Sequence, residues 1–326
     1  MAYSRISLAA VAALILSGCG DATLDFRNAE LSNGKVYQKG GNEPFTGSLT
    51  NFPHTLIRQT GDLTGILAGL AATLDRMQRP DESLRFLKLI CNGRTSEGHL
   101  DGEVSCYEPG TTTLRYQAHY KQGAMDGDFT TWGKHNNVLS KASFKQDRTN
   151  GDVQIYSPNT GTLIQQIQLR AGVIDGLDQR WDDKTGQLTY QAKAEKGFYV
   201  GVAESWGPNG RKTGEVPYQA GRVNGVVRAW DAGTGQLIEE TTFRDGSPDG
   251  PSKEWSKNGE VMKVGEYRDN VFYTASAAGP SDSTQLDSCV SDYIDKFHST
   301  NGENVPINNE QLGEWEKWCT QGQHSN

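Results

Sequence analysis

The residues that could carry chemistry in this 326-residue chain are few and scattered. Aspartate–glycine pairs recur, but they lack the alternating carboxylates of a calcium loop, so we interpret them as turns. A hydrolase would need two carboxylates brought together by neighbouring strands, and the sequence singles out no such pair. The histidines show no metal-ligand spacing, and neither a nucleophile elbow nor a Walker loop occurs. These histidines are His54, His99, His119, His135, His298 and His324. The sequence therefore predicts a protein that is not an enzyme and that needs no metal or cofactor.

The most reactive remaining side chain is Cys19, near the N-terminus. Arg5 precedes an apolar run from Ile6 to Leu16, and Ser17-Gly18 leads to the cysteine. The run is too short to span a bilayer and has the shape of a secretory signal peptide. Its end resembles the bacterial lipobox, which implies cleavage before Cys19 and diacylation of the thiol. A plain signal peptide with an incidental cysteine is the alternative.

A lipid on Cys19 would place the protein in the bacterial cell envelope. Acyl chains contribute about 0.8 kcal/mol per buried methylene, so several chains hold a protein on a membrane without a transmembrane helix. Gly20, rather than an aspartate, follows the cysteine. By resemblance to enterobacterial lipoproteins, this favours the outer membrane, facing the periplasm.

The other four cysteines predict disulfide bonds. Cys91, Cys106, Cys289 and Cys319 allow three pairings. Proximity in sequence favours Cys91–Cys106 and Cys289–Cys319, and about 3 kcal/mol is plausible for a loop of the first size. The periplasm permits disulfides, which agrees with the signal peptide. None of the four has a cysteine or histidine two to four residues away, so we expect no zinc site.

A repeated pattern organises the middle of the chain. Glycine recurs every 24 or 25 residues, and each glycine is followed five positions later by an aromatic residue. Six of these glycines follow Asp or Asn, which is a turn signal. A strand, a second turn and a second strand then complete a β-hairpin. The pairs are Gly102 and Tyr107, Gly127 and Trp132, Gly151 and Tyr156, Gly176 and Trp181, Gly201 and Trp206, Gly225 and Trp230, and Gly250 and Trp255.

Such hairpins are barely stable alone, so neighbouring units must stack. Each repeat glycine is expected to leave room for an aromatic ring of the next unit. The sequence thus predicts an all-β repeat array, an elongated and twisted antiparallel sheet. The alternative use of the five repeat tryptophans is a surface on which sugars stack.

The pattern resembles MORN repeats, in the shorter variant found in bacterial YwqK-like antitoxin proteins. Asp175-Gly176, Trp181 and Gly186-Gln187-Leu188 match it, and Asn224-Gly225 through Trp230 to Gly235-Gln236-Leu237 match it again. The seven copies cover about half of the chain. The resemblance implies a repeat scaffold and, as a function, neutralisation of a toxin. Because such scaffolds serve many purposes, it specifies the fold better than the function.

Helical segments flank the repeats. Residues 63–78 have helical spacing with Asp62 as N-cap and Pro80 beyond their end. This helix either packs on the sheet or faces a partner or a membrane. Residues 84–91 return to strand. Beyond a linker rich in small residues, Asn308 and Gln311 resemble a capping box, and a Cys289–Cys319 bond would join two helices. That helical pair either caps the sheet or is a separate binding module.

These elements divide the chain into six predicted parts. They are a lipoprotein signal peptide (1–18), an N-terminal MORN-like hairpin (19–54), an insertion with a helix (55–90), the repeat array (91–273), a linker (274–285) and the C-terminal helical hairpin (286–326).

Charge restricts the partners. The chain has 40 acidic and 32 basic side chains, a formal net charge of −8. Its basic residues are scattered, which disfavours nucleic acid and anionic lipid head groups and suits a cationic protein. We therefore expect a periplasm-facing lipoprotein that binds a protein, specifically an immunity protein that occludes the active site of a secreted antibacterial effector. The alternatives are an envelope scaffold and a carbohydrate or lipid binder. No partner-binding residue can be named from the sequence.

Overall fold

A computed structural model of the chain describes residues 21–57, 61–79, 88–274, 283–302, 305 and 307–320. Cys19 and the predicted signal peptide lie outside the described residues, as do Pro80, His324 and most of the predicted linker. Within the described part, the α-helices are α1 (Gly61–Arg76), α2 (Ser283–Asn301) and α3 (Asn309–Thr320). None of the helices in these ranges is long and apolar enough to cross a membrane.

The strands before the sixth repeat unit are β1 (Thr23–Asp25), β2 (Ala29–Ser32), β3 (Lys35–Gln38), β4 (Gly47–Pro53), β5 (Ile90–Ser96), β6 (His99–Tyr107), β7 (Leu114–Lys121), β8 (Ala124–Trp132), β9 (Val138–Lys145), β10 (Arg148–Thr149), β11 (Gly151–Tyr156), β12 (Leu163–Arg170), β13 (Val173–Trp181), β14 (Leu188–Glu195), β15 (Phe198–Trp206) and β16 (Lys212–Gln219). The strands that follow are β17 (Arg222–Val223), β18 (Gly225–Trp230), β19 (Leu237–Arg244), β20 (Ser247–Trp255), β21 (Val261–Arg268) and β22 (Val271–Thr274).

One mixed sheet contains 20 of these strands. From β4 to β22 the strands pair antiparallel in chain order. At two places one strand pairs with two successive short ones, β9 with β10 and β11, and β16 with β17 and β18. The first strand is the exception, because β1 lies parallel to β4. At about 4.8 Å between strands, such a series extends over roughly 80–90 Å along the hydrogen-bonding direction. The predicted array of stacked hairpins is confirmed.

The tight turns of the sheet do not lie at the Asp-Gly pairs, so that prediction is wrong. They lie four residues before each repeat glycine, as at Lys196-Gly197, where both residues have positive φ (50° and 92°) and match a type I′ turn. The pair Asp175-Gly176 instead lies inside β13, where the register with β12 shifts and Gly176 has a φ of 139°. This irregularity is a β-bulge, which increases local twist.

The aspartate before a repeat glycine stabilises the next turn. The Asp175 carboxylate accepts a hydrogen bond from the backbone N–H of Lys196 (3.3 Å), and Asp101 accepts one from Gln122 (3.2 Å). Lys196 and Gln122 are each the first residue of the following type I′ turn. The Asp-Gly pair therefore recurs because it joins a bulge to the turn of the neighbouring hairpin.

The repeat glycines do not make room for aromatic rings, contrary to our expectation. A Cβ on Gly127 would lie 2.8 Å from the Cβ of His119, and a Cβ on Gly225 would lie 3.1 Å from Cγ of Pro217. At Gly151 and Gly201 a Cβ would meet nothing within 4 Å. All seven glycines have positive φ. The backbone conformation of the bulge, rather than packing, requires glycine there.

A compact core covers only the first part of the sheet. Phe52, Val104 and Phe129 are buried on one face of β4–β9, and α1 packs its apolar side chains Leu63, Leu70 and Leu74 there and over β9 and β11. Of the two interpretations of this helix, packing on the sheet is the one observed. Asp62 is not its N-cap, because α1 begins at Gly61 and the carboxylate bonds to Thr149 of β10 instead.

The N-terminal boundaries also differ from the predicted ones. Strands β2 and β3 form a separate hairpin around Asn33-Gly34, whereas β4 pairs with β5 in the main sheet. A strand does not end at Cys91. Instead β5 begins at Ile90 and continues to Ser96, because Cys91 pairs with Cys106 of β6. The long sheet therefore already includes β4, which lies before the helical insertion.

Both predicted disulfides are confirmed, Cys91–Cys106 between adjacent strands and Cys289–Cys319 between α2 and α3. The capping box is confirmed as well. Asn308 Oδ1 accepts from the N–H of Gln311 (2.9 Å), and Gln311 Oε1 accepts from the N–H of Asn308 (3.2 Å). Inside the pair, the ring of Tyr293 stacks on the buried Trp315.

Candidate ligand-binding face

The face of the sheet that carries the core continues beyond α1 without a comparable core. From β13 to β22 the buried side chains are small ones and a single carboxylate. Cross-strand registers place them in one row with the core residues Val104 and Phe129. We call this side the core-side face and the other the outer face. The buried residues of the row beyond β12 are Asp178, Ala192, Ala203, Thr241 and Ser252, with Ala194 beside them.

On the outer face, polar side chains of neighbouring strands form hydrogen bonds and ion pairs with one another. Gln179 Nε2 donates to Gln191 Oε1 at 2.9 Å, one strand away. Further along, the Lys212 ammonium lies 2.6 Å from both Glu204 and Glu215, and these hydrogen bonds, first that to Glu204, raise its pKa. Such solvated pairs contribute little stability. The outer face offers no concentrated charge of one sign at these positions.

Asp178 lies at the centre of the core-side face and is only 1% exposed. Its Oδ2 accepts a hydrogen bond from the Tyr199 hydroxyl (2.9 Å) and one from the Arg180 guanidinium (3.1 Å). Its Oδ1 is buried and has no hydrogen-bond partner. Half of the hydrogen-bonding capacity of this carboxylate is thus unused, which is costly for a buried group.

Aromatic rings surround this carboxylate. The Arg180 guanidinium lies 4.7 Å from the centre of the Tyr190 ring, and the rings of Tyr199 and Tyr218 are 5.5 Å apart. Burial, followed by the hydrogen bond to Asp178, raises the pKa of Tyr199. Burial, followed by the charge of Asp178, raises the pKa of Tyr190. Both phenols therefore stay neutral well above physiological pH. We call Asp178, Arg180, Tyr190, Tyr199 and Tyr218 the Asp178 cluster.

Sequence reasoning missed the Asp178 cluster, although the repeats contain a signal for it. Two residues after each repeat glycine, the other units carry an apolar or small residue: Val104, Phe129, Val153, Ala203, Val227 and Ser252. Only the fourth unit has a carboxylate there. Comparing the units with one another would have shown Asp178 as the exception.

The predicted repeat aromatics do not come together. Each lies half-buried at the end of the first strand of its hairpin, just beyond a register shift such as that between Arg180 and Trp181. The described ring contacts include none between two repeat aromatics, and Tyr156 instead donates its hydroxyl hydrogen to Gln154. The tryptophans are therefore not buried between successive hairpins.

Among the described residues, no three His, Cys, Asp or Glu side chains lie close enough to hold a metal ion. His119, for example, lies 3.9 Å from the carboxylate of Glu103.

A cavity of about 560 Å³ lies between the β2–β3 hairpin and the turns of the main sheet. Leu31, Val36 and Leu100 give it apolar walls, and His99 and Asp147 are its ionisable residues. The Asp147 carboxylate already accepts from the N–H of Met125 (2.9 Å). Leu56, beside residues 58–60 that lie outside the described chain, forms another wall. We assign no ligand to this cavity.

Comparison with known proteins does not assign the chain to a family. No family model matches the chain, and no curated protein matches it. Among solved structures, 50% of the chain aligns with 16% of the chain of alternansucrase in complex with isomaltononaose, at 11% identity and a TM-score of 0.10. A likeness this low carries no inference about fold or ligand. The resemblance to MORN repeats stays a prediction.

Proposed function

We propose that this chain is a lipid-anchored envelope protein that binds a protein partner, and that it serves as the immunity protein of a secreted antibacterial effector. One observation carries the binding proposal: the sheet from β13 to β22 keeps a face with aromatic and apolar side chains, without the core that covers β4–β9. A large accessible face of this kind is typical of an interaction site. Repeat scaffolds commonly provide such extended surfaces.

Charge favours a cationic partner. Residues 283–320, which contain α2 and α3, have seven acidic and two basic side chains, a formal charge of −5. More than half of the net charge of the chain therefore belongs to this disulfide-linked pair. Complementary charge accelerates encounter with a basic protein, and this effect weakens as salt increases.

The predicted signal peptide and the predicted lipid on Cys19 support the proposed cellular location. An effector delivered to the periplasm would meet a protein held on the membrane there. Two disulfides, Cys91–Cys106 and Cys289–Cys319, are compatible with an oxidising compartment. The immunity role itself is supported by the resemblance to YwqK-like antitoxins.

The proposed mechanism is occlusion and requires no reaction. A sheet whose strands are each hydrogen-bonded to the next is a stiff surface, so little ordering entropy opposes association. The accessible core-side face or the acidic helical pair would cover the catalytic cleft of the effector and exclude its substrate.

Growth competition tests the immunity role. A strain that lacks the gene is expected to lose against toxin-bearing siblings, and wild-type protein supplied in trans should restore survival. A Cys19→Ala protein, which cannot be diacylated at that position, should restore it less well. Unchanged survival of the deletion strain would contradict immunity, and stable co-purification with envelope machinery instead would support a scaffold.

A further inference from the structure

The Asp178 cluster contains groups that stability does not explain. Burying a carboxylate with one oxygen unpaired is costly, and well-packed apolar residues are often at least as stable as a buried ion pair. An apolar residue is compatible with this position, since Val153 and Val227 occupy it in other units. A residue that breaks the pattern of the other units at a cost in stability is expected at a functional site.

The unpaired atom indicates what the ligand must supply. Asp178 Oδ1 is an acceptor, so its partner must donate an N–H or O–H group. A cation is disfavoured because Arg180 already lies 3.1 Å from Oδ2 and neutralises the carboxylate. An anion would meet the carboxylate itself. A neutral hydroxyl fits both constraints.

Arg180 adds donors to the same site. Its side chain is 47% exposed, and a single guanidinium nitrogen, NH2, bonds to Asp178. The other N–H groups of the fork can donate to a second oxygen. One acceptor beside several donors matches two adjacent hydroxyls, of which one donates to Oδ1 and the other accepts from Arg180. Because Oδ1 is itself buried, neighbouring side chains must shift before a ligand hydroxyl reaches it, while Arg180 keeps its bond to Oδ2.

The surrounding rings match the rest of a sugar. Tyr190, Tyr199 and Tyr218 are half-buried on the accessible core-side face, and their rings present apolar area beside polar hydroxyls. Sites for small ligands commonly combine aromatic side chains with a few placed polar groups. We propose that the Asp178 cluster binds a neutral saccharide, with two adjacent hydroxyls on Asp178 and Arg180 and the C–H face of the ring on the tyrosines.

This site is independent of the proposed immunity role, and purified protein tests it directly. The probes are four neutral trisaccharides, maltotriose, cellotriose, mannotriose and N,N′,N″-triacetylchitotriose, followed by saturation-transfer NMR with millimolar titration. At least one trisaccharide is expected to bind the wild type. Asp178→Val should weaken its binding at least tenfold, whereas Ser252→Val, at the equivalent position three units along, should leave it within twofold.

Two measurements keep the test decisive. The melting temperature of Asp178→Val should not decrease, because valine occupies this position in other units. Should that variant fail to fold, Arg180→Gln removes the second contact from a half-exposed position and should weaken binding at least fivefold. Failure of all four trisaccharides, or equal binding by the wild type and both variants, would overturn the proposal.

Charged probes complete the test. Arginine amide, tetramethylammonium or inorganic phosphate binding in an Asp178-dependent manner, in place of sugars, would also overturn it. The same variants in growth competition separate the two proposals. Protection by Asp178→Val without sugar binding would leave the immunity role intact, and sugar binding without any deletion phenotype would leave only the saccharide site.

Discussion

The Asp62 carboxylate accepts hydrogen bonds from both the backbone N–H (2.8 Å) and the hydroxyl (3.1 Å) of Thr149. These residues are 87 positions apart, and Thr149 is buried in β10. The contact joins the first turn of α1 to the sheet close to where the compact core ends. It therefore fixes the start of α1 on the covered part of the array.

Removing this contact should destabilise the protein. Asp62→Ala leaves the buried N–H of Thr149 without its acceptor, and a hydrogen bond to a charged group contributes about 1.5–3 kcal/mol. We expect a loss of that size in the free energy of unfolding, measured with urea. Asp75→Ala, at an exposed position of the same helix, should change it by less than about 0.5 kcal/mol. Equal effects of the two substitutions would contradict the assignment.

A second prediction concerns the bulge at Gly176. Its φ of 139° is strained for any other residue, and an added Cβ would lie 2.7 Å from the Cβ of Gln168. Gly176→Ala is therefore expected to cost about 1–3 kcal/mol. In contrast, a Cβ on Gly65 in α1 would meet nothing within 4 Å, so Gly65→Ala should stabilise by about 0.5–1 kcal/mol. Thermal unfolding of the two variants should move in opposite directions.

The sequence period was sufficient to predict stacked hairpins, because pattern and turn chemistry recur in phase. Local signals also predicted the Asn308–Gln311 capping box and both disulfides, since each depends on residues close in the chain. The turns were misplaced for a physical reason. Six of the seven units contain two glycines four residues apart, and the third has Asp147 at the turn position. A pair such as Asp175-Gly176 is a stronger turn signal than Lys196-Gly197, although it forms the bulge.

The Asp178 cluster could not be predicted by the same reasoning. Asp178 and Tyr199 are 21 residues apart and lie on strands separated by β14. Their contact depends on the exact register on both sides of β14, and the bulges shift that register in each unit. A motif search looks for two acids or a catalytic pair, whereas this site contains a single buried carboxylate among phenols.

The helical pair should depend on its disulfide. Closing the 30-residue separation between Cys289 and Cys319 contributes about 3–4 kcal/mol in the chain-entropy estimate. A unit this small has little other core besides Trp315 and the rings around it. Replacing both cysteines by serine should remove most of the helical circular dichroism at 222 nm and leave the β-sheet signal. The matched Cys91→Ser/Cys106→Ser variant should keep the helical signal. Loss of helix in both variants would contradict the prediction that the helical pair depends specifically on the Cys289–Cys319 bond.

Acid stability should depend on Asp231, in the loop between β18 and β19. Its carboxylate accepts from the N–H groups of Thr234 (2.9 Å) and Gly233 (3.0 Å) and lies 3.0 Å from the Lys257 ammonium. The bond from the Thr234 N–H, followed by Lys257, lowers its pKa from 3.8 to about 2. A group whose pKa is depressed on folding stabilises the native state above its unfolded pKa, and this contribution is lost as the pH falls towards the folded value.

Asp231→Asn should therefore reduce the loss of stability between pH 4 and about 2, since the amide does not titrate there. Urea unfolding at several pH values in this window would measure the slope. Asp245→Asn, in an exposed turn of the following hairpin, is the control and should retain the wild-type slope. If the Asp231→Asn slope equals that of the wild type, the loop carboxylate contributes nothing to acid stability, and the hydrogen bonds from Thr234 and Gly233 do not favour its charged form.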